Sequence, residues 1–401
     1  MKTSIVLATV VVAALAGCKR SSPSDGAIAR GADAASPSVS KIGALAVTPQ
    51  FDGVMQFSDG LAVVRIGHED ARFGYIDKHG VFKINPQYSN ASSFADGLAP
   101  VEVSTSTRRK WGYIRPDGSS AVAPQFDWAL PFEDGLARVL IGTMSQGKWG
   151  AIDSSGKFVI NPQYDGMTRV SKDRFAVEVG QGKDALTGLI DTHGNMVVAP
   201  QFSTISVFEN GMAAVYVGSS TSAKCGYINA TGAIVVNPMF DNCWPFSDGL
   251  APVREGDDVN GKWGYIDATG KLVVQAQFSR AENFHEGLAA VRIGTGDSAK
   301  WGFIDKTGAL KINPQFGEVY RFKDGYAVVR VGGSGDQSQS WEELKAAGSD
   351  KEVVFGKWGI IDRQGRYVVN PQFDFLQGAQ EHMAGARVGD RNTGKWGFIN
   401  L

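Results

Sequence analysis

The sequence is poor in the residues that usually carry chemistry. Only five histidines and three cysteines are spread over 401 residues. No two histidines stand in an H-x-x-x-H spacing, which removes the commonest helical zinc site. No G-x-x-x-x-G-K-[ST] loop is present to cradle a phosphate, and no Ser/His/Asp or Cys/His/Asn set stands out. Net charge is lacking as well: Lys plus Arg number 40 and Asp plus Glu 41, a formal charge of −1. Without a positive field there is no general electrostatic reason to bind nucleic acid, and Arg108-Arg109-Lys110 is too short a run to supply one. No apolar run reaches the roughly 20 residues that a membrane-spanning helix needs. These gaps argue against an enzyme, and neither cofactor nor metal is expected.

What is present falls into three parts. Residues 1–17 have a cationic start at Lys2 and an apolar stretch from Ile5 to Ala14, the layout of a signal peptide. The stretch ends in Leu15-Ala16-Gly17-Cys18, which resembles the lipobox of bacterial lipoproteins. That resemblance implies cleavage before Cys18 and acylation of its thiol. It also implies an exported chain held to the cell envelope by lipid alone. Lys19 stands where inner-membrane retention signals place Asp, so the outer membrane is expected if the cell is Gram-negative. Residues 18–41 are rich in Ser, Ala, Gly and Asp and almost free of large apolar side chains. Such a segment cannot offset its ordering entropy by burial, and it reads as a flexible tether.

Residues 42–401 repeat. The whole chain is 43% hydrophobic, enough to bury a core, and its 50 glycines without a collagen triplet point to turns at fixed places. A Trp-Gly pair or its equivalent stands at Phe73-Gly74, Trp111-Gly112, Trp149-Gly150, Thr187-Gly188, Cys225-Gly226, Trp263-Gly264, Trp301-Gly302, Trp358-Gly359 and Trp396-Gly397, with steps of 38 residues and one of 57. A D-x-x-G turn, a Pro-Gln-aromatic trio and an FxDGLAxV segment keep the same register. KWGYID and KLVVNPQF read as two strands of a hairpin, after which proline should end the ladder. Apolar residues on both faces, such as Val273 with Val274 and Ile234 with Val235, suit sheets sandwiched between neighbours. The class is therefore all-β, with tandem 38-residue units. The array opens with half a unit, Gly43–Phe51 and Phe57–Gly67, and closes with the missing half, Lys395–Asn400. Split ends of this kind favour a closed β-propeller-like ring. Nine units exceed the usual blade number and three clear strands are one short of a blade, so an open β-solenoid or hairpin superhelix is the alternative.

The pattern KWGYIDxxGKLVVxPQF…FxDGLAxV resembles the WG-repeat (KWG) family, and the resemblance implies an all-β interaction domain with no catalytic residues to carry over. Thr187, Cys225 and Ala276 depart from it, as does the segment at Arg174-Phe175-Ala176, so those units should pack less regularly. His79 and His193 share one turn column three periods apart, which favours a structural role. Asp77, Asp153, Asp191, Asp267, Asp305 and Asp362 recur in the D-x-x-G turn. Each is read as capping its own turn, because a calcium site needs ligands that converge. Cys225 and Cys243 lie in one unit and are either bridged or two buried thiols. The long step contains an insertion near 333–356 in which Ser340–Gly348 reads as a short capped helix. Trp341, with Glu342 and Leu344, is a candidate partner contact there.

The function expected from these features is a non-catalytic envelope scaffold that binds a protein or a polysaccharide. A lectin-like module with tryptophans stacked on sugars is the alternative, and a glycan hydrolase or lyase comes last. The repeat reading makes a direct prediction. A fragment holding one unit stays unfolded while the whole chain gives a β-type far-ultraviolet circular dichroism spectrum. A stable single unit, or a helix-dominated spectrum, refutes it.

Overall fold

Each repeat folds into one antiparallel four-stranded sheet. The first consists of β2 (Gly53–Val54), β3 (Ala62–Ile66), β4 (Arg72–Ile76) and β5 (Phe82–Tyr88), hydrogen-bonded in that order. In this computed structural model, residues 43–104, 108–218, 223–332, 356–378, 380–389 and 393–401 are described. Among them are 36 strands in nine four-stranded sheets and no α-helix. Blade 1 is the sheet just given. Blades 2 to 8 follow it in chain order and begin at Asn90, Trp128, Gly166, Thr204, Asn242, Arg280 and Glu318. Blade 9 takes three strands from the end of the chain, β34 (Phe375–Leu376), β35 (Met383–Val388) and β36 (Lys395–Asn400). Its outer strand is β1 (Leu45–Phe51), from the beginning. The described residues form a nine-bladed β-propeller closed by the pairing of its first and last strands. Cys18, Trp341, Glu342 and Leu344 lie outside the described residues.

Three details differ from the sequence expectation. The strand missing from each unit is the inner one, which in seven blades is only two residues long, as at Gly53–Val54, and so leaves no periodic pattern. Proline does not end the outer strand. Pairing runs from Ile84↔Tyr75 to Tyr88↔Phe73, so Asn85-Pro86-Gln87 arches over Gly74 and the ladder then resumes. Finally, the outer strand buries one face only: Val274 is buried, whereas Val273, Ile234 and Val235 are exposed.

The arch explains the glycine that follows each tryptophan. A Cβ at Gly74 would stand 2.6 Å from the Ile84 carbonyl oxygen and 2.7 Å from the Pro86 nitrogen. The same clash with arched backbone recurs at Gly112, Gly150, Gly188, Gly226, Gly264, Gly302, Gly359 and Gly397. The Asp-Gly pair at the inner turn has another cause. Asp59 and Gly60 both have positive φ, 51° and 75°, as a two-residue hairpin turn requires.

No blade holds a core of its own. Each of nine apolar clusters joins side chains from two adjacent blades. At the centre of five of them an aromatic from the third strand meets the Phe of the next blade's FxDG segment, with ring centroids 4.8 Å apart: Tyr75–Phe94, Tyr113–Phe132, Tyr227–Phe246, Tyr265–Phe284 and Phe303–Phe322. Where this aromatic is Tyr, its hydroxyl donates across the interface, as from Tyr75 to the Ser92 carbonyl at 2.8 Å and from Tyr265 to that of Glu282 at 2.8 Å. The Phe398–Phe57 pair, at 4.7 Å, makes the same contact between blade 9 and blade 1.

Charge follows the same route around the ring. Lys110 of blade 2 reaches Asp127 at the start of blade 3 at 2.6 Å, and the other oxygen of Asp127 accepts the Gly142 amide at 2.8 Å. Lys148–Asp165, Lys224–Asp241 and Lys357–Asp374 repeat the contact. Lys395–Asp52 makes it across the closure, joining residues 343 apart in sequence.

Two kinds of glycine should therefore respond differently to alanine. Gly302→Ala, with a carbonyl oxygen 2.6 Å from the new Cβ, is expected to cost about 3 kcal/mol or more. Gly97→Ala, which meets nothing within 4 Å but keeps a φ of +75°, should cost about 1–2 kcal/mol. Urea unfolding of both variants checks the order, and equal losses would contradict the arch.

Candidate functional site

The columns that build the ring are occupied by the ring. Trp111 is 4% exposed, Trp263 8% and Trp358 0%, while Trp149, Trp301 and Trp396 are half-buried. Arg254 and Arg387 stack over Trp263 and Trp396 at 5.9 and 5.7 Å. The turn aspartates are engaged locally. Asp153 Oδ1 accepts the Ser155 hydroxyl and the backbone amides of Ser155 and Lys157. The hydroxyl and these amides hold its carboxyl below the usual range, and Asp267 and Asp305 are held down in the same way by Thr269 and Thr307. Among the described residues no three His, Cys, Asp or Glu side chains come together as a metal site.

Cys225 and Cys243 are joined by a disulfide with Cα atoms 6.1 Å apart. It links the third strand of blade 5 to the inner strand of blade 6, where Cys225 replaces the column tryptophan. Thr187, the other substitution in that column, is 3% exposed, and its hydroxyl lies 3.3 Å from the Ser203 carbonyl.

The informative departures lie in a different pair of columns. Two interfaces lack both members of the aromatic pair. Between blades 3 and 4 the positions hold Ala151 and Val170. Phe175 repairs the loss. It occupies a place that is Ala in the other blades (Ala62, Ala99, Ala137, Ala213), is 1% exposed, and packs into the cluster that contains Ala151. A volume lost on one side is returned from the other, the kind of exchange that cores tolerate. The irregular Arg174-Phe175-Ala176 segment is thus a compensated interface.

Between blades 8 and 9 the positions hold Ile360 and Ala379, the latter outside the described residues. On the facing strand Ala384 keeps the usual alanine, and the cluster is filled instead by Leu376, with Tyr320, Tyr326 and Leu401 packed against it. Here a cavity of about 600 Å³ opens. Its floor is Ile360 and Val328, its sides include Tyr320, Tyr326, Val319 and Leu401, and its rim is Arg321, Lys323, Glu282, Asn283, His285, Gln380 and Trp244. Gln56 of blade 1 also borders it. Side chains from blades 6, 7, 8, 9 and 1 can share one space only if their inner segments face the axis of the ring, so the cavity opens into the central channel. A second hollow, lined by Gln56, Tyr320, Gly378 and Gln380, continues it toward Ser93 of blade 2.

The electrostatics of the rim are uneven. Burial pushes the Glu282 carboxyl up, against the pull of Arg280. Burial and then the Arg321 charge push His285 down, opposed by Asp248 and Glu286. Arg321 and Lys323 form no side-chain hydrogen bond or ion pair among the described residues. Trp244 is 44% exposed, and Tyr320 stacks on Trp358 with centroids 5.6 Å apart. The Asn283 Oδ1 atom is buried without a hydrogen-bond donor. An apolar pocket with a few polar groups at its mouth is the usual form of a ligand site.

A nine-bladed propeller with an interface that lacks the aromatic pair is a repeat scaffold with a cavity beside that interface. The WG containing repeat model matches nine times, at residues 39–67, 73–104, 111–142, 149–182, 188–219, 226–257, 263–294, 301–334 and 358–391. The chain belongs to the WG-repeat family. No curated protein matches it by sequence. Among solved structures it is similar to a crystal structure of the eukaryotic initiation factor, at 11% identity and a TM-score of 0.56 over 82% of this chain and 89% of that one. The β-propeller domain of the Trilobed protease from Pyrococcus furiosus is 9% identical, with a TM-score of 0.37 over 81% and 97%. Oligopeptidase B from Leishmania major is 8% identical, with a TM-score of 0.39 over 70% and 53%. The first likeness is one of fold alone, and the other two are too distant to bear on the argument.

The disulfide closes a short loop, of sequence separation 18. Replacing both cysteines by serine is expected to lower stability by about 3 kcal/mol on chain entropy. Thermal unfolding of the variant, and of the native protein with and without reductant, measures this. A midpoint that does not move would show the bridge to be dispensable.

Proposed function

We propose that this protein is a non-catalytic binding scaffold of the cell envelope, which takes an envelope protein or a polysaccharide on the channel face around the blade 8–9 cavity. The observation that carries the reading is the division of labour among columns. Residues that recur are taken up in packing, arches and turn caps, whereas the inner segments facing the channel differ from blade to blade. Met55-Gln56, Thr168-Arg169, Trp244-Pro245, Glu282-Asn283 and Tyr320-Arg321 occupy equivalent places. Packing alone gives no reason for such variety.

The lining favours binding over turnover. Hydrolysis of a glycan by the usual route needs two carboxyl groups about 5–9.5 Å apart, and among the described residues Glu282 is the one carboxylate side chain that lines the cavity. A carbohydrate-binding reading draws on a specific feature, the exposed Trp244 in the lining that also holds Tyr320, and not on the repeat tryptophans, which are buried or half-buried.

The signal-like start and the Leu15-Ala16-Gly17-Cys18 run support export and attachment through acylated Cys18, to the outer membrane in a Gram-negative cell. The test uses full-length acylated protein as bait in envelope extracts, beside Trp244→Ala. A partner or glycan held by the native chain and lost from the variant is the expected result. Capture that ignores the substitution would remove the channel face from the reading, and turnover of a glycan would reverse it. Cys18→Ala should release the protein from the membrane fraction, and retention there would refute the anchor.

A further inference from the structure

We propose that the cavity between blades 8 and 9 binds a small apolar or aromatic group that carries one negative charge, such as a hydrophobic carboxylic acid or a peptide end with an apolar last residue. The proposal rests on the reading that the channel face is the binding face, and it names the chemistry recognised there.

The size comes from what the repeat has lost. At five interfaces the equivalent space holds two aromatic rings in contact at 4.8 Å. At this one the sequence has Ile360 in the third-strand column and Ala379, which lies outside the described residues, in the partner column. An aromatic ring supplied from outside would lie against Tyr320 and Tyr326, which pack on the apolar cluster that contains Ile360. The volume of about 600 Å³ is that of a small-ligand pocket. Tyr320 and Tyr326 offer ring faces and edges along the way in.

The sign of the charge comes from the rim. Arg321 and Lys323 are two cationic groups with no anionic partner among the described residues, and they stand against the single side-chain carboxylate of Glu282 in the same lining. The carboxylates nearest His285 belong to Asp248 and Glu286, which already accept the amides of Gly287 at 2.7 Å and Gly325 at 3.0 Å. A ligand anion would therefore meet guanidinium and ammonium groups that hold no other anion among the described residues, and charge-assisted bonds of that kind are the strong ones.

Paired fluorescent probes test body and charge separately. 8-Anilinonaphthalene-1-sulfonate carries the anion, and N-phenyl-1-naphthylamine has the same ring system without it. The full-length folded protein should bind the sulfonate saturably at one site. Ile360→Phe, which installs the column's usual ring, should weaken both probes about tenfold or more. Arg321→Glu, on an exposed side chain that cannot unfold the blade, should weaken the sulfonate about tenfold and leave the neutral probe unchanged. Displacement of the probe by 1-naphthylacetate or by a short peptide ending in Phe tells a free acid from a chain end, and the amidated peptide should fail. Several results would overturn the proposal: no saturable binding, binding indifferent to both substitutions, equal response of the two probes to Arg321→Glu, or displacement by neither acid. Probe binding without any captured envelope partner would sink the scaffold reading alone. Capture without probe binding would sink the cavity assignment alone.

Discussion

The structure depends on burial across blade interfaces. A four-stranded sheet of such short strands has two apolar faces and no means of covering either. Tyr265 leaves water only because Phe284 of the next blade meets its ring and the Glu282 carbonyl takes its hydroxyl. Burying a side chain of that size is worth about 1.5–3 kcal/mol, and an aromatic pair adds roughly 0.5–1.5 kcal/mol. Both gains exist only for neighbours. An open row of such units would leave a bare face at each end. Here the first strand completes the last blade, and Phe57 meets Phe398 as any other pair would. Closure thus follows from the same need that builds each interface.

The glycine after the tryptophan serves that packing at the level of backbone. Two extra residues in the outer strand let Asn85-Pro86-Gln87 cross over Gly74, after which Tyr88 pairs with Phe73. The arch returns the outer strand to register at the very place where the chain must turn toward the next blade. A side chain under the arch would push it outward and carry the following Asp away from its lysine. Pattern elements that look independent in the repeat (the Gly, the Pro-Gln pair, the Asp and the Lys) are parts of one local geometry.

Much of this was legible in the sequence. The period of 38, the hairpin between the WG and PQF strands, and the half-units at the two ends led to all-β blades and a ring, because a fixed period and a split copy are visible without coordinates. The inner strand was not legible, since two residues such as Gly53–Val54 carry no alternation. The arch was missed because proline's lost donor suggests an end, whereas here the strand bends past it and pairs again. The cavity left a signal in a place that inspection of single columns overlooks. Thr187 and Cys225 stand out in the tryptophan column, yet one packs and the other is bridged. The informative comparison sets the third-strand aromatic of one unit against the Phe of the next: Tyr75 with Phe94, Ala151 with Val170, Ile360 with Ala379. Only the interface, and not the repeat, is the unit that must be filled.

A closed ring is also what makes one defective interface tolerable. In an open array each interface is the sole connection between two halves, and a weak one is where the molecule comes apart. In a ring, blades 8 and 9 remain held by the other eight interfaces, so a gap between them lowers local stability without dividing the structure. Blade 8 carries a second irregularity, the insertion between β31 (Tyr326–Val331) and β32 (Lys357–Asp362), yet these strands still pair from Val331↔Lys357 to Tyr326↔Asp362. Repair by Phe175 at blades 3 and 4 shows how little is needed to refill a lost pair. That blade 9 keeps Ala384 at the corresponding place leaves the gap open toward the channel, beside the cations and the exposed tryptophan that give it a chemistry of its own.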